Sequence, residues 1–131
     1  MARGRDAHQA RKAALAALGR GLARRARSKC ELCGESGSHT VPLDAAAEPD
    51  LDGVLLLCAR CRELFENGRH DGLDSLRFLE GAVWSELAPA QVVAVKLLER
   101  LAPDAEASWP RDTLDGLWLD EAVRARVDAL P

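Results

Sequence analysis

The segment RSKCELCG, residues 27–34, sets two cysteines two residues apart at the end of a basic stretch, and LLLCARCRE, residues 55–63, repeats that spacing at Cys58 and Cys61. The chain has no other cysteine. Two intervening residues let a tight turn aim both sulfurs at one point and leave backbone amides free to hydrogen-bond the thiolates. Two such pairs complete the tetrahedral four-sulfur shell that zinc takes at structural sites. Twenty-four residues separate Cys33 from Cys58, more than the commonest two-pair spacing, but loop length costs little in closure entropy. The spacing therefore predicts one structural Zn2+ per chain on Cys30, Cys33, Cys58 and Cys61, with disulfides or free thiols as the alternative. A redox role is the weaker reading, since neither CxxC follows a βαβ pattern. A four-thiolate site has no open coordination position, so this ion is expected to support the fold and to activate no water.

The chain has 131 residues, 47% hydrophobic and 30% charged, enough for one modest core. It has no apolar run of membrane-spanning length, and its start, MARGRDAHQARK, is charged where a secretory leader turns apolar. The expectation is a soluble cytoplasmic protein, in a compartment where paired CxxC motifs hold metal rather than form disulfides. The formal net charge of −3 hides a split. Residues 1–29 hold nine Lys/Arg and one acid, and residues 30–131 hold nine Lys/Arg and twenty acids. A basic arm can follow a phosphate backbone, or lie on the acidic body of its own molecule or of a partner. Arg11, Lys12, Arg20, Arg24, Arg25, Arg27 and Lys29 are thus candidate nucleic-acid contacts. The aromatics Phe65, Phe78, Trp84, Trp109 and Trp118 are not interleaved with them as a stacking platform requires.

Three segments emerge: a basic helical arm over 1–29, a four-cysteine module over 30–67, and a helical region over 68–131 packed on it. In the arm, Leu15, Leu18 and Leu22 repeat at helical spacing from about Ala7 to Arg27, with Arg20, Arg24 and Arg27 on another face. Gly19 and Gly21 weaken that helix by up to about 1 kcal/mol each, so it needs a surface to lie on. In the module, loops surround a short strand near Thr40–Leu43, and GVLLLC reads as a buried strand. ARCRELFENG reads as a helix stopped by Gly68. Leu73, Leu76, Leu79, Val83 and Trp84 follow at helical spacing behind Asp71 as N-cap. PAQVVAVKLLERLAP is the expected core helix, entered at Pro89, ended by Pro103 and polar only at Lys96, Glu99 and Arg100. Asp120 is a further expected cap, and Trp84, Trp109 and Trp118 are expected core anchors. The fold class is mainly α, with a small β-containing zinc module of zinc-ribbon or treble-clef type followed by a helical bundle.

SKCELCG (28–34), LLLCARCRE (55–63), VWSELAPAQVVAVKLLERLA (83–102) and LDGLWLDEAV (114–123) together resemble the PhnA-like family, named after an alkylphosphonate-utilisation operon. The block W-S-x-x-x-P-A-Q-V is more specific than any zinc motif. The resemblance implies a zinc-binding N-terminal module followed by helices. It establishes no activity, and no catalytic set for a hydrolase is present.

A second, local resemblance is to HNH-type nucleases, which read C-x2-C, H-x-x-P, then N-x4-C-x2-C-H. HTVP, His39–Pro42, matches the position of the general-base histidine. Ser38, Gly53 and Arg62 stand where that pattern has its Asp or His, its asparagine and its last histidine. A divalent ion held against a phosphate needs oxygen or imidazole ligands, so the module is expected to share a fold with such nucleases and not their chemistry. His39 is read as a loop histidine, His8 and His70 as solvated, and EPDLD as a solvated acidic loop. The expected function is a non-catalytic zinc-binding protein, an interaction or regulatory module with a protein partner. The alternative is a degenerate HNH-type nucleic-acid-binding domain or an HNH endonuclease.

Overall fold

The computed structural model describes residues 2–48 and 50–131, apart from the side chains of Ala2, Arg3, Leu15 and Asp104. Alanine, the strongest helix former, dominates the N-terminal segment, which forms α1 (Ala2–Ala26). Arg24 and Arg25 in its last turn oppose the negative end of the helix dipole. The helix stops where Arg27 and Ser28 take left-handed backbone angles, φ 54° and 61°. Of the leucines expected on its inner face, Leu22 is buried and Leu18 half-buried, while the Leu15 side chain lies outside the described residues. Gly21 lets the Leu51 side chain approach the helix backbone.

Two strands follow, β1 (His39–Pro42) and β2 (Val54–Leu57), paired antiparallel with His39 opposite Leu57 and Pro42 opposite Val54. The first lies one residue earlier than its sequence pattern suggests. All four residues of β2 are buried, because both its faces are covered. Leu55 and Leu57 join the main core, and Val54 and Leu56 pack with Leu22 and Ala26 of α1. A strand covered on both sides reads as a continuous apolar run rather than an alternation.

Helix α2 (Ala59–Asn67) ends as expected at Gly68, whose left-handed backbone returns its N–H to Glu63 and Leu64. The helix expected behind Asp71 does not form. Gly72 instead precedes a 3-10 turn, Leu73–Leu76, followed by the short helix α3 (Leu79–Ala82). The apolar spacing still works, since Leu76, Leu79 and Val83 are buried, but Ser75 Oγ donates to Gly72 O at 2.8 Å and closes a tight turn where a helix would start.

Helix α4 (Ala88–Leu101) has Pro89 in its first turn and eight buried residues. It runs through the middle of the molecule against β2, α2, α3, α5 (Trp109–Asp115) and α6 (Glu121–Ala129). Asp120 occupies the N-cap position of α6 without a side-chain capping bond. One apolar core runs from Cys30, Leu32 and Leu57 in the cysteine segment through Val93 and Leu98 of α4 to Val127 and Leu130. The architecture is thus mainly helical, with a two-stranded antiparallel sheet beside the four cysteines.

The tryptophans correct the expectation of three core anchors. Trp109 is buried, but Trp84 is 55% and Trp118 75% exposed. Trp84 lies in the turn before α4, where Val83 takes the inward position and pushes it outward, and Trp118 lies in the irregular segment before α6, where Leu117 and Leu119 on either side of it are half-buried.

Leu22 is the main apolar link between α1 and β2. Leu22→Ala is expected to cost about 2–3 kcal/mol and to speed amide exchange along the second half of α1, with α4 exchange unchanged. Equal loss of protection in both helices would show that α1 is part of one cooperative core.

Candidate metal centre

The first cysteine pair sits on a turn assembled from backbone hydrogen bonds. Cys30 N–H donates to Glu35 O at 2.6 Å, Gly34 N–H to Cys30 O at 2.9 Å and Gly37 N–H to Ser28 O at 2.9 Å. A Cβ on Gly37 would stand 2.7 Å from the Cys30 nitrogen, so only glycine lets the turn close there. The second pair uses a helix start. Cys58 is the N-cap of α2, where its sulfur accepts the Cys61 N–H at 3.4 Å, and Cys61 lies one turn in, fully buried.

Strand β2 delivers this pair to the first. Glu31 N–H donates to Leu56 O at 2.8 Å, so the turn lies along the strand edge that β1 leaves open. The four cysteines form no disulfide with one another. Their sulfurs lie within 4.8 Å of each other, with Cys33 and Cys58 at 3.7 Å. Among the described residues this is the one group of three or more His, Cys, Asp or Glu side chains gathered closely enough for an ion. A turn, a hairpin and a helix N-terminus converge on four thiols in a treble-clef-like arrangement that could hold a metal ion, and the donor set suits a soft tetrahedral one.

The thiols share charge unequally. A hydrogen bond from the Cys61 thiol holds Cys30 down to about 4, against the cost of burial, with amides of Cys33, Cys58 and Leu32 adding to the effect. Cys61, as the donor, is pushed up by that bond to Cys30, and next by burial. Burial likewise pushes Cys33 up. A bound cation would displace those protons and satisfy all four sulfurs at once. Arg60, between Cys58 and Cys61 in sequence, loses some stability as a cation through burial. The neighbouring Cys33 sulfur and the charge of the other cysteines outweigh that loss and favour the protonated form. Its guanidinium also lies 5.1 Å from the Phe78 ring centre and donates to Ser75 O at 3.3 Å.

The residue that spacing arguments overlooked is Glu31, inside the first CxxC. Its carboxylate, with a side chain only 5% exposed, takes both arms of Arg25 at 2.8 and 2.9 Å. It also accepts the Leu56 N–H at 2.9 Å. Arg25 also donates to Leu51 O at 2.6 Å and Val54 O at 2.8 Å. An acid inside a CxxC turn with an arginine six residues upstream is the sequence signal, legible only once α1 is known to turn back on the strand.

Other candidates fall as follows. His39 on β1 is half-buried, and its Nδ1 accepts from Arg62 at 3.2 Å, because a guanidinium can only donate. Arg62 also pairs with Glu66. Ser38 is exposed, and Gly53 closes a short 3-10 turn. His8 and His70 are exposed. In the acidic loop, Asp52 pairs with Arg126, and Pro49 lies outside the described residues. Of the seven cations named as nucleic-acid contacts, Arg25 is held by Glu31 and Arg11 donates to Ala45 O and Ala47 O. Lys12, Arg20, Arg24, Arg27 and Lys29 are exposed.

Comparison with protein-family models, with curated proteins and with solved structures finds no match. No helix among the described residues is long and apolar enough to cross a membrane.

Removing either partner of the Arg25–Glu31 pair strands the other against buried backbone. Glu31→Ala and Arg25→Ala are each expected to cost about 3 kcal/mol, and the double variant clearly less than their sum. Denaturant titration of all four proteins measures this, and strict additivity would mean that the pair is not coupled.

Proposed function

We propose that the chain is a non-catalytic zinc protein of the PhnA-like kind, in which the ion fixes a scaffold for protein interaction. The observation that carries the reading is the set of four converging thiols. Zinc–sulfur bonds of about 2.3 Å place tetrahedral sulfurs about 3.8 Å apart, and Cys33 and Cys58 stand at 3.7 Å. Four sulfurs fill the shell, so the ion has no position for water or substrate. Free thiols in this arrangement suit a reducing compartment, here the cytoplasm.

The motif shared with PhnA-like proteins has a physical role in this chain. Gln91 Nε2 donates to Val83 O at 2.9 Å and Ser85 Oγ accepts the Leu87 N–H at 3.2 Å, which fixes the turn into α4. That turn holds Trp84 in solvent, with Trp118 exposed in the segment before α6. Exposed tryptophan is rare on a surface that contacts only water and common among the anchors of protein interfaces, which supports the interaction reading.

Purified without chelator, the protein is expected to hold one zinc per chain. Cys33 and Cys61 keep their protons above the ordinary thiol range, so loading releases protons, affinity rises with pH and the ion leaves as pH falls. Structural zinc supplies on the order of 10 kcal/mol at neutral pH, so a strong chelator should loosen residues 30–62 while α4 stays largely formed. Cys58→Ser should release the ion without abolishing helical circular dichroism. Elemental analysis finding no metal, or mapping of a Cys30–Cys33 disulfide, would sink the proposal.

One observation favours nuclease ancestry as a second reading. His39 on β1 and Arg62 on α2, which stand at the base and ligand positions of the HNH pattern, lie side by side beside the cysteines. With arginine at the ligand position and its guanidinium on the imidazole, supercoiled plasmid incubated with Mg2+ or Mn2+ should stay intact. Divalent-dependent nicking that vanishes in His39→Ala would make the protein an enzyme.

A further inference from the structure

Helix α1 is held to the molecule along one edge. Its buried contacts, Leu22 and Ala26, fall near its C-terminal end, and Arg11 and Arg25 reach from the same side to carbonyls of the 45–54 segment. At about 100° per residue, Arg5, Lys12, Arg20 and Arg24 fall within about 120° of one another on the opposite side. All four are exposed, as are Arg27 and Lys29 just beyond the helix. None of the six takes part in an ion pair among the described residues. At about 1.5 Å per residue this cationic face is about 30 Å long, close to one turn of B-form DNA.

The helix carries no aromatic residue, and its other exposed positions are mostly alanine, with Asp6 its one acid. That composition separates the possible occupants. A protein partner binds through buried aromatic or large aliphatic anchors, and this face has none. A single strand needs stacking platforms, which are also missing. Duplex DNA needs phosphate-directed cations on a slim rod, and the B-form major groove, about 12 Å wide, admits an α-helix. The A-form RNA major groove is too narrow for one.

We propose that the outer face of α1 binds double-stranded DNA through its phosphates, with Arg5, Lys12, Arg20, Arg24, Arg27 and Lys29 as the contacts. Binding is independent of sequence, because alanine, arginine and lysine set out this way read charge and groove shape rather than base edges. The acidic remainder of the chain is repelled by the same polyanion and orients the molecule with α1 toward it. This goes beyond the proposed protein-interaction role, which rests on other residues.

The test is fluorescence anisotropy of a labelled 20-base-pair DNA duplex titrated with the full-length, zinc-loaded protein across a salt series. Six contacts give a slope of about −5 in log K against log salt, a loss of about 10³-fold between 50 and 200 mM, and a Kd on the order of 10⁻⁵ M at physiological salt. The triple variant Lys12→Gln, Arg20→Gln, Arg24→Gln changes only exposed helical positions, and circular dichroism checks its fold. It should flatten the slope by about 3 units, whereas Arg69→Gln, on the body, should leave binding unchanged. An RNA duplex of the same sequence should bind more weakly. No binding at 50 mM salt, an unchanged slope in the triple variant, or equal affinity for the RNA duplex overturns the proposal. So does a protein dimer, seen by sedimentation, that the triple variant abolishes in a chain that ignores DNA, since α1 then serves a second copy.

Discussion

Four residues, Val54 to Leu57, constrain most of the molecule. Strand β2 has two faces and two edges, and each is taken by a different part of the chain. One face meets α4 and the other α1. One edge pairs with β1, and the other gives both the N–H and the C=O of Leu56 to Glu31. A strand buried on every side must have every backbone group paired, and the chain meets that need with a carboxylate and an amide from the first cysteine turn. The strand then runs straight into Cys58 and Cys61. The register of β2 therefore sets the meeting of the sulfurs, and a slip of one residue would exchange its two faces and misplace both cysteines.

Charge is arranged with equal economy around the sulfurs. A divalent ion among four thiolates would leave a local excess of negative charge, and Arg60 lies beside these sulfurs. The same guanidinium stacks on Phe78 and bonds Ser75, so the cation that offsets the thiolates also draws the turn before α3 onto the centre. Arg100 does comparable work at the far end of α4. It donates to Phe65 O and Pro131 O and packs over the Phe65 ring, tying α2 to the end of the chain. Arginine suits such places because its flat, weakly hydrated head makes several directed bonds while lying on an aromatic face.

What was legible in the sequence was what periodicity and punctuation encode. The CxxC pairs, the apolar run of β2, the stop at Gly68 and the proline-bounded α4 are each fixed by local chemistry. The misses arise where tertiary geometry decides. Trp84 follows Val83 in sequence, and an apolar count cannot tell which of two adjacent large residues a turn will face inward. The segment behind Asp71 has helical spacing, yet Gly72 and the Ser75 hydroxyl turn it into a 3-10 bend without losing its buried leucines. Glu31 carries no signal in the cysteine spacing, because its partner Arg25 belongs to a helix whose docking angle no local rule supplies. Arg11 and Arg25 look in sequence like any other cation of the arm. Only the fold separates them from the neighbours that point outward.

The Arg25–Glu31 pair also joins two parts of the molecule that seem independent in sequence. Glu31 sits between Cys30 and Cys33, so any ion that fixes those sulfurs fixes the direction of its carboxylate. The carboxylate fixes Arg25, and Arg25 sets how the last turns of α1 lie on β2. Without an ion the turn would rest on backbone bonds and on thiols that compete for protons, and the Glu31 carboxylate would be aimed less firmly at the arginine. The energy linking the two ends is that of a partly buried, bidentate ion pair, on the order of a few kcal/mol. That is comparable with what the small Leu22 contact contributes to holding α1. With two contributions of similar size, loss of a bound ion would not need to unfold α1 to weaken the DNA contact proposed for it. It is enough to release the helix from a fixed angle, and a cationic face that no longer keeps a constant direction loses the alignment of its charges with any rigid partner.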